Sequence, residues 1–126
     1  MLLAACAVTA RVSYAQDNDA KVYFILSTGF RGSPLKYQIF VDQVRTCGLV
    51  NDSFHVHHLR AGRHTFNAQF TARKLRTSSK PITIDVEAGK TYYVELMQND
   101  FLMCQEVTEN SAKAVLASCA EQANGF

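Results

Sequence analysis

All four histidines of the chain fall within ten residues, in the stretch SFHVHHLRAGRHTF, as His55, His57, His58 and His64. Imidazole is the commonest protein ligand for zinc and copper and the side chain that most readily changes charge near neutral pH. A zinc or copper site needs three or four ligands about 2 Å from one point. The backbone must therefore turn several of these rings to one side. Side chains alternate along a strand, so His55 and His57 share one face as a His-x-His pair, away from Phe54 and Val56. His58 is in phase with Phe54 and Val56, and His64 with Phe66 and Phe70.

Two stretches with the same turn chemistry set the expected frame. Leu59-Arg60-Ala61-Gly62-Arg63 and Val86-Glu87-Ala88-Gly89-Lys90 each read as a three-residue hairpin loop with glycine last, where the left-handed conformation is wanted. Pairing Leu59 with Arg63 sets Val56 opposite Phe66 and Phe54 opposite Ala68. Pairing Val86 with Lys90 sets Ile84 opposite Tyr92 and Ile82 opposite Val94. In both, the apolar residues fall on one side, as a paired register requires. His58 then lies opposite His64. The histidines split into two candidate metal pairs, His55 with His57 and His58 with His64. Each needs further ligands, and Asp52 is the only nearby carboxylate. The other reading leaves His55 and His57 on a solvated face and His58 and His64 as structural side chains.

The rest of the chain alternates in the same way. Val22, Phe24 and Leu26 share a face, as do Tyr37, Ile39 and Val41, Ile82, Ile84 and Val86, and Tyr92, Val94 and Leu96. Period two over five to eight residues, with Gly, Pro, Asn or Asp between, predicts half-buried antiparallel strands. FLMCQEVT reads as one more strand. Ala112, Val115, Leu116 and Cys119 then follow at helical spacing, with Asn110 available as N-cap. The expected fold is mainly β, an antiparallel sandwich of seven or eight strands with a short C-terminal helix, spanning residues 20–120 as one domain.

Other chemistry finds little support. There is no Gly-x-Ser-x-Gly, no Gly-x-Gly-x-x-Gly, no P-loop and no Cys-x-x-Cys. Cys47 beside Gly48 is the one thiol placed near the histidines in sequence. Net charge is +2, too small to select nucleic acid. Charge is unevenly spread, because Ser53 to Ile84 contains no acid but carries Arg60, Arg63, Arg73, Lys74, Arg76 and Lys80. The last four lie in ARKLRTSSK, read as an exposed loop, with Arg73, Lys74 and Arg76 as candidates for contact with an anionic surface. Phe66 and Phe70 share a face with Ala68 and Ala72 and read as core, not as base-stacking platforms. Tyr92 faces inward. Tyr93 faces outward and, with Tyr23, forms a candidate aromatic binding spot.

The N-terminus reads as a targeting segment. An apolar run from Leu2 to Ala10 leads to Ser13-Tyr14-Ala15, whose small residues fit signal-peptidase cleavage after Ala15. Leu3-Ala4-Ala5-Cys6 also resembles a lipobox, in which Cys6 is lipidated and residues 7 to 20 form a tether. Both readings export the chain, to the periplasm or to a membrane surface by a lipid anchor, with no transmembrane helix; the remaining reading of the segment is an ordinary buried N-terminal strand. Cys47, Cys104 and Cys119 remain, and an oxidising compartment permits one disulfide. Cys104 and Cys119, close in sequence, are the favoured pair.

AKVYFILSTGFRGSPLKYQIFVD, NDSFHVHHLRAGRHTF and ITIDVEAGKTYYVEL together resemble the bacterial family of domain of unknown function 2846. More loosely they resemble PEGA-type sandwich modules of surface layers. The matching elements are Val22-Tyr23, Gly32-Ser33, Lys36, Ala61-Gly62-Arg63-His64-Thr65 and Ala88-Gly89-Lys90-Thr91-Tyr92-Tyr93, over residues 20 to 117. The resemblance implies an exported β-sandwich, often a lipoprotein, and a His64 that packs and hydrogen-bonds at a hairpin mouth. The expectation is a non-catalytic binding or scaffolding module of the cell envelope, with an envelope protein or surface partner and no cofactor. A histidine-based metal-binding periplasmic protein is the alternative.

Overall fold

The computed structural model describes residues 19–27, 36–72, 75–98 and 101–121. The leader-like segment with Cys6, Gly32-Ser33, Arg73 and Lys74 lie outside them, as does the side chain of Arg76.

Among the described residues the chain forms β1 (Asp19–Leu26), β2 (Lys36–Val41), β3 (Val44–Val50), β4 (Ser53–Arg60), β5 (Gly62–Ala72), β6 (Leu75–Ser78), β7 (Ile82–Val86), β8 (Thr91–Gln98), β9 (Leu102–Val107), helix α1 (Glu109–Leu116) and the two-residue β10 (Ala120–Glu121). They build two sheets. The first has the order β10-β4-β1-β8-β9; the second runs β3-β2-β5-β6, with β7 also paired to β5. The fold is thus the expected mainly β, two-sheet arrangement with one short helix. The first sheet is mixed, because β1 runs parallel to β8 and β10 parallel to β4, while its other pairs are antiparallel.

The inward faces follow from the alternation. Val22, Phe24 and Leu26 of β1 and Val94 and Leu96 of β8 meet Tyr37 and Ile39 of β2, Phe66 and Ala68 of β5, and Ile84 and Val86 of β7 in one core. Phe24 and Phe66 join the sheets, with ring centroids 5.7 Å apart and planes tilted by 59°. Tyr37 is buried against Phe70, and its hydroxyl has no hydrogen-bond partner among the described residues. Burying such a group unpaired costs about 1–3 kcal/mol.

The first sheet is apolar on its outer side too. There Ile25 and Tyr93 pack under Ala112 of α1, with Tyr23, Phe54, Val107, Val115, Leu116 and Cys119 around them. Thr108 rather than Asn110 caps the helix, its side-chain oxygen accepting from the Ser111 N–H at 3.2 Å. The threonine is one residue upstream of the first acidic residue, Glu109, and an acid in the first turn suits the helix dipole.

The two Ala-Gly turns are not hairpins. β4 lies in the first sheet and β5 in the second; β7 lies in the second and β8 in the first. Each turn is a corner where the chain crosses between sheets. Gly62 has φ +138° and Gly89 φ +79°, conformations that side-chain-bearing residues rarely adopt. The second corner is tied to β1: Gly89 N–H donates to the Asp19 carbonyl and Lys21 N–H to the Lys90 carbonyl, both at 3.0 Å. A third crossing, at Asn51-Asp52, joins β3 to β4, with Asp52 at φ +59°. There Ser27 Oγ donates to Asp52 Oδ1 at 3.0 Å and Ala120 N–H to the Asp52 carbonyl at 3.0 Å. The tight two-residue hairpin is elsewhere, at Asp42-Gln43 between β2 and β3, where both residues have positive φ as a type I′ turn requires.

Candidate functional site

The histidines lie on β4 and at the start of β5, and the sheet assignment changes their partners. β4 pairs with β1 in a register that sets His55 beside Phe24 and His57 beside Val22. Phe24 and Val22 face the core, so His55 and His57 face inward with Leu59, and Phe54 and Val56 face out toward α1. This reverses the expected phase. His55 is 9 % exposed, not on a solvated face. His57 is half-buried, its ring 6.5 Å from Phe24 and 6.2 Å from His55. Burial, then the charges of His55, His58 and His64, hold the His57 imidazole below its ordinary value. It favours the neutral form. His58 is exposed on the outer side.

His64 is placed by different neighbours. It pairs with Ile84 across β5 and β7 rather than with His58. Its Nδ1 lies 2.7 Å from Oδ2 of Asp42 and its Nε2 2.7 Å from the Arg60 carbonyl oxygen. Burial alone would lower its pKa, but the Asp42 hydrogen bond, the Arg60 carbonyl and the Asp42 charge outweigh it and raise it. Asp42 is lowered by the Thr65 N–H, then by the His64 hydrogen bond. Both His64 nitrogens are thus already engaged at 2.7 Å, and neither turns toward a further ligand. Among the described residues no three of His, Cys, Asp and Glu converge on one point. Neither pair, His55 with His57 nor His58 with His64, gains the further ligands it needs there.

The other candidate residues also move. Tyr23 and Tyr93 do stand together, centroids 5.1 Å apart, but as part of the layer under α1. Tyr93 is 9 % exposed and its hydroxyl donates to Glu109 at 3.3 Å. The pair is packing, not an open aromatic spot; the alternation gave the face correctly, but the helix covers it. Cys104 and Cys119 are unbonded and sit on opposite sides of the first sheet. Cys104 faces the core beside Ser79, with Sγ 3.6 Å from Oγ. Cys119 lies in the outer cluster. A disulfide cannot pass through the sheet. Cys47 is fully buried and its thiol is pushed up to about 12 by burial, which suits packing rather than attack. Burial likewise raises Cys104 and Cys119.

One surface went unread in the sequence. Among the described residues the large apolar side chains left exposed are Val44, Phe101 and Met103. Phe101 is 64 % and Met103 36 % exposed. They line, with Leu102, Ser78 and Lys80, a groove of about 420 Å³. It opens where β9, the edge strand of the first sheet, meets the segment linking β6 to β7. The alternation of β9 carried a signal. Leu102 and Cys104 turn inward, so Met103 must face out, and Phe101 precedes the strand.

No helix among the described residues is long and apolar enough to cross a membrane. Neither a curated protein nor a solved structure matches the chain. A family model described as Protein of unknown function (DUF2846) matches residues 16–111. The residues that carry the resemblance sit largely at β1 and at the two Ala-Gly corners. With residues 16–111 matched out of 126, the chain belongs to the DUF2846 family.

Proposed function

We propose that the protein is an exported, non-catalytic module of the bacterial envelope, and that it binds another envelope protein through the groove at Phe101 and Met103. The observation that carries this reading is the contrast between the two ends of the first sheet. Under α1 its outer apolar surface is covered. At the start of β9 two large apolar side chains stand in water beside a groove. Uncovered apolar surface with a polar rim is typical of protein contact sites. Lys80 on the groove wall favours a partner segment that presents an apolar side chain next to a carboxylate. The leader-like run before Ala15 supports export. The buried thiols and the hydrogen-bonded His64 support a binding role over a catalytic one.

A photoreactive amino acid placed at Phe101 in living cells tests this. A discrete adduct with an envelope protein is expected there, weakened by Lys80→Glu, and none from the same group at Thr83 on the exposed side of β7. Equal labelling from both positions, or labelling unaffected by Lys80→Glu, would overturn it.

A further inference from the structure

Both ring nitrogens of His64 face atoms that only accept. Neutral imidazole has one N–H and one lone pair. Either tautomer would therefore set a lone pair against the Asp42 carboxylate or the Arg60 carbonyl, each 2.7 Å away. Imidazolium alone satisfies both. The carboxylate is itself held in place. Asp42 Oδ1 accepts from the Thr65 N–H at 2.9 Å, and the Asp42 N–H donates to the Thr65 carbonyl at 2.8 Å. The His64 side chain is 16 % exposed and that of Asp42 49 %, so water reaches the carboxylate but little of the ring.

The partners come from separate parts of the fold. Arg60 ends β4 in the first sheet, Asp42 opens the β2–β3 turn of the second, and His64 follows the Gly62 corner that joins the sheets. We propose that His64 is a proton-operated latch: as imidazolium it ties the Arg60 end of the first sheet to the Asp42 turn of the second, and losing one proton opens that corner.

Few other charges bear on it. From β4, His57 faces inward and favours the neutral form, and the Arg60 guanidinium belongs to an exposed side chain. From β5 and β7, Arg63 is engaged with Asp85 at 3.2 Å, alternating away from His64 along the strand. Asp42 is the one carboxylate on the ring.

His64 is raised above 6.5 on folding, so its contribution is complete below 6.5 and is lost as pH climbs through the folded value. Asp42 is lowered below 3.8, so its contribution is complete above 3.8 and is lost as pH falls through that lowered value. His57 is lowered below 6.5, so it costs stability only as pH falls from 6.5 through its folded value. The latch therefore opens in the one window, above 6.5, that the His57 change leaves untouched.

Nitrogen-15 NMR of the full chain tests the proposal. At pH 6 both His64 nitrogens should carry protons, and the ring should titrate above 6.5. The protection of the Thr65 amide, corrected for intrinsic exchange, should fall about tenfold through the same midpoint, the equivalent of one charge-assisted hydrogen bond. In Asp42→Asn the His64 midpoint and the Thr65 transition should both move down together. In His64→Gln the Thr65 protection should be flat with pH. An unprotonated His64 nitrogen at pH 6, or Thr65 protection independent of pH in the wild type, would overturn it. Should His64→Gln not fold, the Asp42→Asn result still decides: a Thr65 transition that fails to follow the shifted His64 midpoint would overturn the latch.

Discussion

Phe66→Ala is expected to lower the stability of the fold by about 4 kcal/mol in urea unfolding, the cost of removing a buried aromatic ring from a packed core. Phe66 is fully buried and meets Phe24 across the two sheets, not a neighbour within its own. The effect should therefore be shared. A double-mutant cycle with Phe24→Ala is expected to give a coupling of about 1 kcal/mol, as for tilted aromatic pairs. The matching cycle between Phe66 and Val56 should give none, because Val56 lies on the outer side of the first sheet. A hairpin of β4 with β5 would set Val56 opposite Phe66 and predicts the reverse. Coupling to Val56 without coupling to Phe24 would contradict the two-sheet assignment.

Gly62→Val should be the most costly change at any exposed position among the corners. An added Cβ at Gly62 meets nothing within 4 Å, so the cost is backbone strain alone. At φ +138° a branched side chain enters a region essentially reserved for glycine, worth about 1–3 kcal/mol. Gly89, at φ +79°, lies nearer the left-handed helical region, where a side chain costs about 1–2 kcal/mol. The ordering, Gly62→Val worse than Gly89→Ala in thermal unfolding, is the expected result. A neutral Gly62→Val would mean that the chain does not turn there as described.

The strand pattern, the apolar faces of β1, β2, β7 and β8 and the terminal helix were legible in the sequence because alternation reports burial directly. The corners were not. Inward residues of two adjacent strands face the same core whether the strands pair side by side or stack across the sandwich. Ile84 and Tyr92 satisfy both arrangements, so register agreement could not separate them. β4 misled in a second way. Its outer residues, Phe54 and Val56, are apolar, and Phe54 packs in the layer under α1, while its inner row of Ser53, His55, His57 and Leu59 is the more polar one. Only a strand covered on both sides produces that inversion. The His64 contacts were beyond reach because Asp42 and the Arg60 carbonyl come together through two corners. Even so, Asp42-Gln43 between alternating runs was a two-residue turn signal that could have been read. β3 and β6 escaped notice because Arg45 and Gly48 interrupt one, and a basic, serine-rich composition marks the other as loop.

The proposed partnership requires export, since the partner would be an envelope protein. The direct measurement is the mass and N-terminal residue of the protein recovered from fractionated native cells. Recovery from the envelope or periplasmic fraction is expected, beginning at Gln16 or at an acylated Cys6, with Cys47, Cys104 and Cys119 all as free thiols. Recovery from the cytoplasmic fraction with the residues before Cys6 still attached would contradict it.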